Sequence, residues 1–146
     1  MKNLKLVTSG LLLGLGLSAS AGVKYAPAVY NIDPMHSKAG FEVPHLVISS
    51  VEGKFKTFSG KIDLNKDFSK TNVEAILEAQ SIDTGVEKRD EHLKSADFFN
   101  ASQFPQIVFK STKVEGRPEK FKLIGDLTIR GVTKKVTLDS KYLVVS

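Results

Sequence analysis

Apolar and polar residues alternate along several stretches of this chain, and this spacing restricts its fold more than any other feature. From residue 121 to residue 130, one face of an extended chain would carry apolar residues and glycine, and the other face mostly polar residues. A period of two places successive side chains on opposite faces of a β-strand, whereas a helix needs a period of about 3.6. Residues 73–80 and 107–113 show the same alternation. These segments are therefore predicted to be strands.

Further strands are predicted from composition and from the turns between them. Arg130-Gly131-Val132-Thr133 turns the chain into one of them, and Asp33-Pro34-Met35-His36 separates two others. About seven short strands with no internal repeat and no linker predict one mainly β domain, an antiparallel barrel or sandwich. The additional predicted strands cover residues 29–33, 39–43, 51–58 and 135–139.

The first residues have the pattern of a secretory signal peptide. Lys2 and Lys5 precede an apolar run over residues 6–17, and Ala19-Ser20-Ala21 resembles a cleavage site. The run is shorter than the roughly 20 apolar residues that a membrane span needs. We therefore predict a signal peptide over residues 1–21, a single domain over residues 22–146, and a periplasmic or secreted protein that does not span the membrane. The chain has no cysteine, so its core must hold it without disulfides.

The charge distribution gives little reason to expect a nucleic-acid partner. The net charge is +5, and it falls to +3 when Lys2 and Lys5 are removed with the leader. The remaining basic residues are scattered along strands and turns and form no block of like charge, so we expect no nucleic acid to bind.

The segment from Ser81 to Pro105 combines polar and aromatic residues in an otherwise strand-like chain. Residues 87–95 alone have helical spacing, because polar side chains fall three and four residues apart and can share a face. An arginine can bind a phosphate bidentately and a lysine can supply a point charge. Two other interpretations stay open: a solvated helix surface with internal pairs, or side chains that fasten the helix to the barrel. If the segment binds a molecule with a polar head group and an apolar body, the side chains predicted to contact the head group are Arg89, Asp90, His92 and Lys94.

A set of short motifs, in order and spacing, resembles the YceI-like family of exported proteins over the whole mature length. The resemblance implies a lipocalin-like antiparallel β-barrel with one short helix near one end. It also implies that a long amphiphile, typically an isoprenoid lipid or fatty amide, binds in the barrel interior, and that the protein is a homodimer. The motifs are Ile32–Ser37, Phe41–Leu46, Val51–Phe55, Phe58–Gly60, Ser81–Gly85, Arg89–Ser95, Asp97–Phe99, Phe104-Pro105 and Gly125–Thr133.

This chain departs from the family pattern at its C-terminus. Family members continue for a few more strands, whereas this chain stops on the apolar run from Lys141 to Ser146. We therefore expect the last part of the barrel wall to be missing. An exposed edge near Tyr142–Val145 would then recruit a second chain or aggregate.

Residues of inward parity on the predicted strands are candidates for lining a lipid cavity. A barrel of about eight strands can hold one ligand, and each buried methylene contributes about 0.8 kcal/mol. The alternative is that the same residues only fill a core. With three apolar residues of the Ser81–Pro105 segment added, the lipid-binding candidates are Phe41, Val43, Phe55, Leu77, Leu93, Phe98, Phe99, Phe109, Leu123 and Leu127.

The histidines and serines give weak support for metal binding or catalysis. His36, His45 and His92 lack the spacing of a zinc site, so we predict no metal and no cofactor. Ser37 follows His36, but neighbouring strand residues point to opposite faces. Taken with the isoprenoid-type ligand that the family resemblance implies, this predicts a non-enzymatic carrier or sequestering protein for such a lipid. A small hydrolase or isomerase acting on such a lipid, and a stress-induced scaffold protein without a ligand, are the alternatives.

Overall fold

A computed structural model describes the backbone of residues 6–8 and the whole of residues 24–143. The described chain is mainly β, with ten strands and a single α-helix, and short 3₁₀ turns at Phe68–Lys70 and Ala79–Ser81. The strands are β1 (Leu6–Thr8), β2 (Ala28–Asn31), β3 (Ala39–His45), β4 (Ser49–Phe55), β5 (Phe58–Leu64), β6 (Asn72–Glu78), β7 (Ile82–Asp83), β8 (Gln106–Arg117), β9 (Lys120–Ile129) and β10 (Val132–Tyr142), and the helix is α1 (Glu87–Lys94).

The strands form two sheets in which every neighbouring pair is antiparallel. The larger sheet has the order β1-β10-β9-β8-β6-β5-β2, and the smaller one has the order β3-β4-β7. Within the described residues the hydrogen bonding does not close into a complete cylinder, because β2 and β3 each end a sheet. The architecture is the predicted lipocalin-like antiparallel wall with one helix.

The alternation in β9 produces the two faces that the sequence predicts. Phe121, Leu123 and Gly125 are buried, whereas Lys122 and Asp126 are exposed. Arg130 and Gly131 then reverse the chain with φ values of 50° and 71°. Positive φ at both central residues matches the twist of a tight hairpin. Consequently β10 begins at Val132, three residues before the predicted strand.

The prediction of one strand over residues 51–58 is wrong. The chain turns a corner at Lys56 and Thr57, so that β4 belongs to the smaller sheet and β5 to the larger one. Ser81 stabilises the corner: its carbonyl oxygen accepts from the Lys56 N–H at 3.0 Å, and its Oγ accepts from the Thr57 N–H at 3.0 Å. The apolar pattern continues on both sides of the corner, so it gives no signal of the change of sheet.

The core consists of two clusters of buried side chains. The larger cluster lies on the inner face of β5, β6, β8 and β9, and the smaller one lies under α1 and the segment that follows it. The buried members of the larger cluster are Tyr30, Ile62, Leu64, Val73, Phe109, Val114, Phe121 and Leu123, and those of the smaller are Phe55, Ala79, Ile82, Ala101 and Ile107.

The helix covers one end of the smaller cluster. α1 spans Glu87–Lys94, one residue shorter than the predicted helix. Phe99, just beyond the helix, packs edge-on against Phe55 with ring centroids 6.0 Å apart. The Arg130 guanidinium donates to the carbonyl oxygens of Ala96 and Phe98 at 2.6 and 2.8 Å. The β9–β10 turn therefore fastens the segment after α1 to the large sheet.

The signal peptide and the exposed C-terminal strand edge were predicted at the two ends of the chain. Leu6–Thr8 pairs antiparallel with Ser140–Tyr142 at the end of β10. The rest of the predicted signal peptide lies outside the described residues, as do residues 144–146.

At the tip of the β3–β4 hairpin, Leu46, Val47 and Ile48 are exposed to 79%, 100% and 94%.

Candidate functional site

A cavity of about 260 Å³ is lined by strands of the large sheet and by residues 37–40 at the start of β3. Its lining comes from seven strands or strand-flanking segments, so no short stretch of sequence defines it. Twelve of its fourteen lining residues are apolar or glycine: Ile32, Ala39, Gly40, Phe58, Val73, Ala75, Leu77, Phe109, Leu123, Leu127, Val136 and Leu138.

Strand parity positions the apolar lining. In β6, Val73, Ala75 and Leu77 line the cavity, whereas Glu74 between them is exposed. In β9, Leu123 has no exposed surface and forms part of the wall, and Leu127, four residues further along, lines it from the same face. Alternate residues of a strand share a face, so each alternating segment contributes one to three side chains.

The two polar lining residues are adjacent in sequence. Ser37 and Lys38 both line the cavity, just before β3 begins. The Ser37 Oγ atom is buried and has no hydrogen-bond partner among the described residues. A buried hydroxyl without a partner costs about 1–3 kcal/mol, so an unpaired donor at a cavity wall is a position where a ligand atom would be stabilised.

The turn before Ser37 is held by Asp33. Its carboxylate accepts from the Met35 N–H at 2.9 Å, and its Oδ2 lies 2.7 Å from the His36 Nδ1. The hydrogen bond with His36, followed by that from the Met35 N–H, lowers the pKa of Asp33 below its ordinary value. His36 is therefore engaged with Asp33 and not with the Ser37 hydroxyl, so the two neighbours form no nucleophile–base pair.

The predicted lipid-binding residues divide into three groups. Leu77, Phe109, Leu123 and Leu127 line the cavity. Phe41, Phe55, Leu93 and Phe99 instead pack in the smaller core cluster under α1. Val43 and Phe98 are 52% and 48% exposed and belong to neither cluster. A role in lipid binding stays a prediction for all ten residues.

Of the four predicted head-group residues, Arg89 and Asp90 bond to the loop before α1. The Arg89 Nε donates to the Thr84 Oγ1 at 2.7 Å, and its terminal nitrogen donates to the Thr84 carbonyl at 2.9 Å. The Asp90 Oδ1 accepts from the hydroxyl and the backbone N–H of Thr84 at 2.6 and 2.8 Å. The hydroxyl bond, ahead of the backbone bond, lowers the pKa of Asp90. This geometry matches the alternative in which the two side chains fasten the helix.

The other two head-group candidates also make local contacts. The His92 Nε2 lies 3.2 Å from the Asp97 carboxylate, and the Lys94 Nζ lies 2.9 Å from that of Glu91. The hydrogen bond to Glu91 raises the pKa of Lys94. None of the four lines the described cavity. Their role in binding a head group stays a prediction.

Several residues that line the cavity were not predicted from the sequence. Val73 and Ala75 share the parity of Leu77 in β6, and Val136 and Leu138 share one parity in β10, so the same alternation could have identified all four. Ser37 and Lys38 carry no such signal, because they follow a turn and become lining residues only in the tertiary structure, where they share a cavity with strands of the large sheet.

The described residues contain no group of three or more side chains that could hold a metal ion. Within the same part of the chain, no helix is both long and apolar enough to cross a membrane.

An antiparallel β wall with an apolar interior cavity and one helix across its end is the architecture of a lipocalin-like binding protein. The chain belongs to the YceI-like family, since the YceI-like domain matches residues 30–145. The protein YceI of Escherichia coli O157:H7 is 40% identical over 138 residues, which cover 90% of this chain and 72% of that protein.

Solved structures agree with this assignment at the level of the fold. BcnA of Burkholderia cenocepacia superposes with a TM-score of 0.72 at 24% identity, over 78% of this chain and 72% of that chain. A polyisoprenoid-binding domain from Saccharophagus degradans superposes with a TM-score of 0.52 at 13% identity, over 82% of this chain and 66% of that chain.

Proposed function

We propose that this protein is a carrier or sequestering protein that binds an amphipathic isoprenoid-type lipid in its interior cavity and catalyses no reaction on it. The observation that carries the proposal is the cavity itself, which is apolar except at Ser37 and Lys38. The name of the Saccharophagus domain, which describes polyisoprenoid binding, supports the class of ligand.

The size of the cavity sets an expectation for affinity. At about 30 Å³ for a water-sized group, 260 Å³ accommodates roughly nine groups, which is a short isoprenoid or part of a long one. At about 0.8 kcal/mol for each buried methylene, nine groups contribute roughly 7 kcal/mol. Before any ordering cost, this corresponds to a Kd on the order of 10 µM.

The lining also bears on the choice between carrier and enzyme. The part of the cavity wall formed by described residues presents one hydroxyl and one amine, with no imidazole and no carboxylate. A nucleophilic mechanism needs a base within hydrogen-bonding distance of the nucleophile, and His36 bonds to Asp33 instead. The arrangement supports binding better than hydrolysis or isomerisation.

Filling the cavity tests the proposal. Ala75 is half-buried in the wall, so Ala75→Leu adds bulk to empty space, and Glu74→Leu adds the same group to the outer face of β6. We expect Ala75→Leu to weaken binding of farnesol at least tenfold and Glu74→Leu to leave it within twofold, measured by titration of both folded variants. Organic extracts of the purified protein, examined by mass spectrometry, should contain a lipid. Equal binding by the two variants would contradict an interior site.

We further propose that the protein is exported, on the strength of the leader pattern in residues 1–21. N-terminal sequencing of protein from the cell envelope or medium should begin at or near Gly22, and an intact Met1 there would refute cleavage. Cleavage would also remove β1, which leaves Ser140–Tyr142 without that partner. The family resemblance supports a homodimer, which light scattering of the processed chain can test.

A further inference from the structure

The polar end of the cavity lies at a different place from the helix that the sequence singles out. Among the described residues, the polar part of the cavity wall consists of Ser37 and Lys38, which lie together just before β3. The four head-group candidates of α1 bond to Thr84, Asp97 and Glu91 and do not line the cavity. Within the described wall, an amphiphile would therefore meet polar partners just before β3.

We propose that Ser37 and Lys38 form an anion subsite for the head group, a phosphate or carboxylate, of the bound amphiphile; this rests on the proposed function. The Ser37 hydroxyl would donate to a head-group oxygen, and the Lys38 ammonium would supply the opposite charge.

Ser37 supplies the main observation. Its Oγ is buried and unpartnered among the described residues, whereas the neighbouring His36 and Asp33 bond to each other. Buried polar atoms are nearly always paired, so an orphan at a cavity wall needs an explanation. A head-group oxygen would provide the missing partner, and the Asp33–His36 turn would hold the serine in place for it.

Lys38 supplies the charge and explains the preference for an anion. Lys38 is exposed overall but contributes to the wall, as expected of a lysine whose stem lies along apolar surface while its ammonium stays hydrated. Among the described residues, no carboxylate lines the cavity to neutralise the charge of Lys38. A hydrogen bond between charged partners is roughly twice as strong as a neutral one.

The test compares geranyl phosphate with geraniol, two ligands that differ only at the head. Both ligands, and inorganic phosphate as a head group without a tail, are titrated into the wild-type protein and into the Ser37→Ala and Lys38→Met variants. Lys54→Met, on the neighbouring strand opposite Gly40, is the control for net charge, and Arg89→Met tests the helix. We expect each subsite variant to weaken geranyl phosphate about 10-fold or more and to leave geraniol within twofold. Lys54→Met and Arg89→Met should leave both ligands nearly unchanged.

The other outcomes overturn the proposal in recognisable ways. Equal loss of both ligands would show that Ser37 and Lys38 are structural, and loss with Arg89→Met alone would place the head group at α1. Inorganic phosphate that binds as tightly as geranyl phosphate would show an anion site independent of the lipid. If the wild type binds neither geraniol nor geranyl phosphate, the proposed function is refuted. If the wild type binds both ligands and the subsite variants bind geranyl phosphate as tightly as the wild type does, only the subsite is refuted.

Thermal unfolding of the ligand-free protein gives a second readout. Because Ser37→Ala removes an unpaired buried hydroxyl, we expect its Tm to equal or exceed that of the wild type. A clear fall in Tm would show that the hydroxyl has a structural partner, and it would refute the subsite.

Discussion

Truncation of Leu123 to alanine tests whether one side chain serves both the core and the cavity. Leu123 has no exposed surface, packs in the larger core cluster and lines the cavity. The change removes three carbon groups, which accounts for roughly 2.4 kcal/mol of transfer free energy at about 0.8 kcal/mol each.

The space left behind adds a second cost. Three groups of about 30 Å³ leave roughly 90 Å³, which at about 24 cal/mol per Å³ adds up to roughly 2 kcal/mol. Because one side of Leu123 already faces open space, part of that packing is absent in the wild type. We therefore expect Leu123→Ala to lower the free energy of unfolding by about 3 kcal/mol.

Urea denaturation measures this loss as a lower midpoint with an unchanged slope. The matched control is Lys122→Ala, one residue away on the exposed face, which should change the free energy of unfolding by no more than about 0.5 kcal/mol. The enlarged cavity should also bind a bulkier isoprenoid than the wild type accepts. A loss below about 1 kcal/mol for Leu123→Ala would refute the packing on which both the core and the cavity depend.

Three further predictions concern other parts of the structure. Gly125→Ala should destabilise the protein by about 1–3 kcal/mol, seen as a lower urea midpoint, since a Cβ there would meet the Phe109 ring at 2.7 Å; an unchanged midpoint would contradict that contact. The lowered pKa of Asp90 means that its stabilisation is present above the unfolded pKa of about 3.9 and is lost as pH falls through the folded value. Asp90→Asn should therefore make the fall of Tm below about pH 4 less steep than in the wild type. If Tm falls equally in the two proteins, Asp90 does not contribute to the loss of stability in acid. Serine at all three of residues 46–48 should leave Tm nearly unchanged and reduce self-association in light scattering, because these side chains are exposed; a large fall in Tm would show that they are packed.

The helix illustrates what local sequence can and cannot predict. The spacing of polar residues located α1 to within one residue, because side chains three and four positions apart interact on a helix surface. The same side chains were predicted to bind a head group. In the structure Arg89 and Asp90 satisfy the hydroxyl and backbone of Thr84. Composition shows that polar groups are available but does not show which partners they find.

The corner at Lys56 and Thr57 shows a second limit. Alternation reports which residues face inward along a strand, and it is indifferent to which sheet the strand joins. The hydrogen bonds that hold the corner come from Ser81 and Glu78, more than 20 residues further along the chain, so a distant segment accompanies the change of sheet.

The sequence by itself determined most of the strands and of their inward faces, the position of the helix and the family, because each depends on local periodicity or on motifs in order. The tertiary structure alone decided which inward faces enclose a common space. Leu77, Phe109, Leu123 and Leu127 were identified from parity. The Ser37 hydroxyl is buried without a partner among the described residues only in the tertiary structure, where the start of β3 and the large sheet line the same cavity. Burial of a polar atom is a property of distant chain segments brought together, and no local pattern records it.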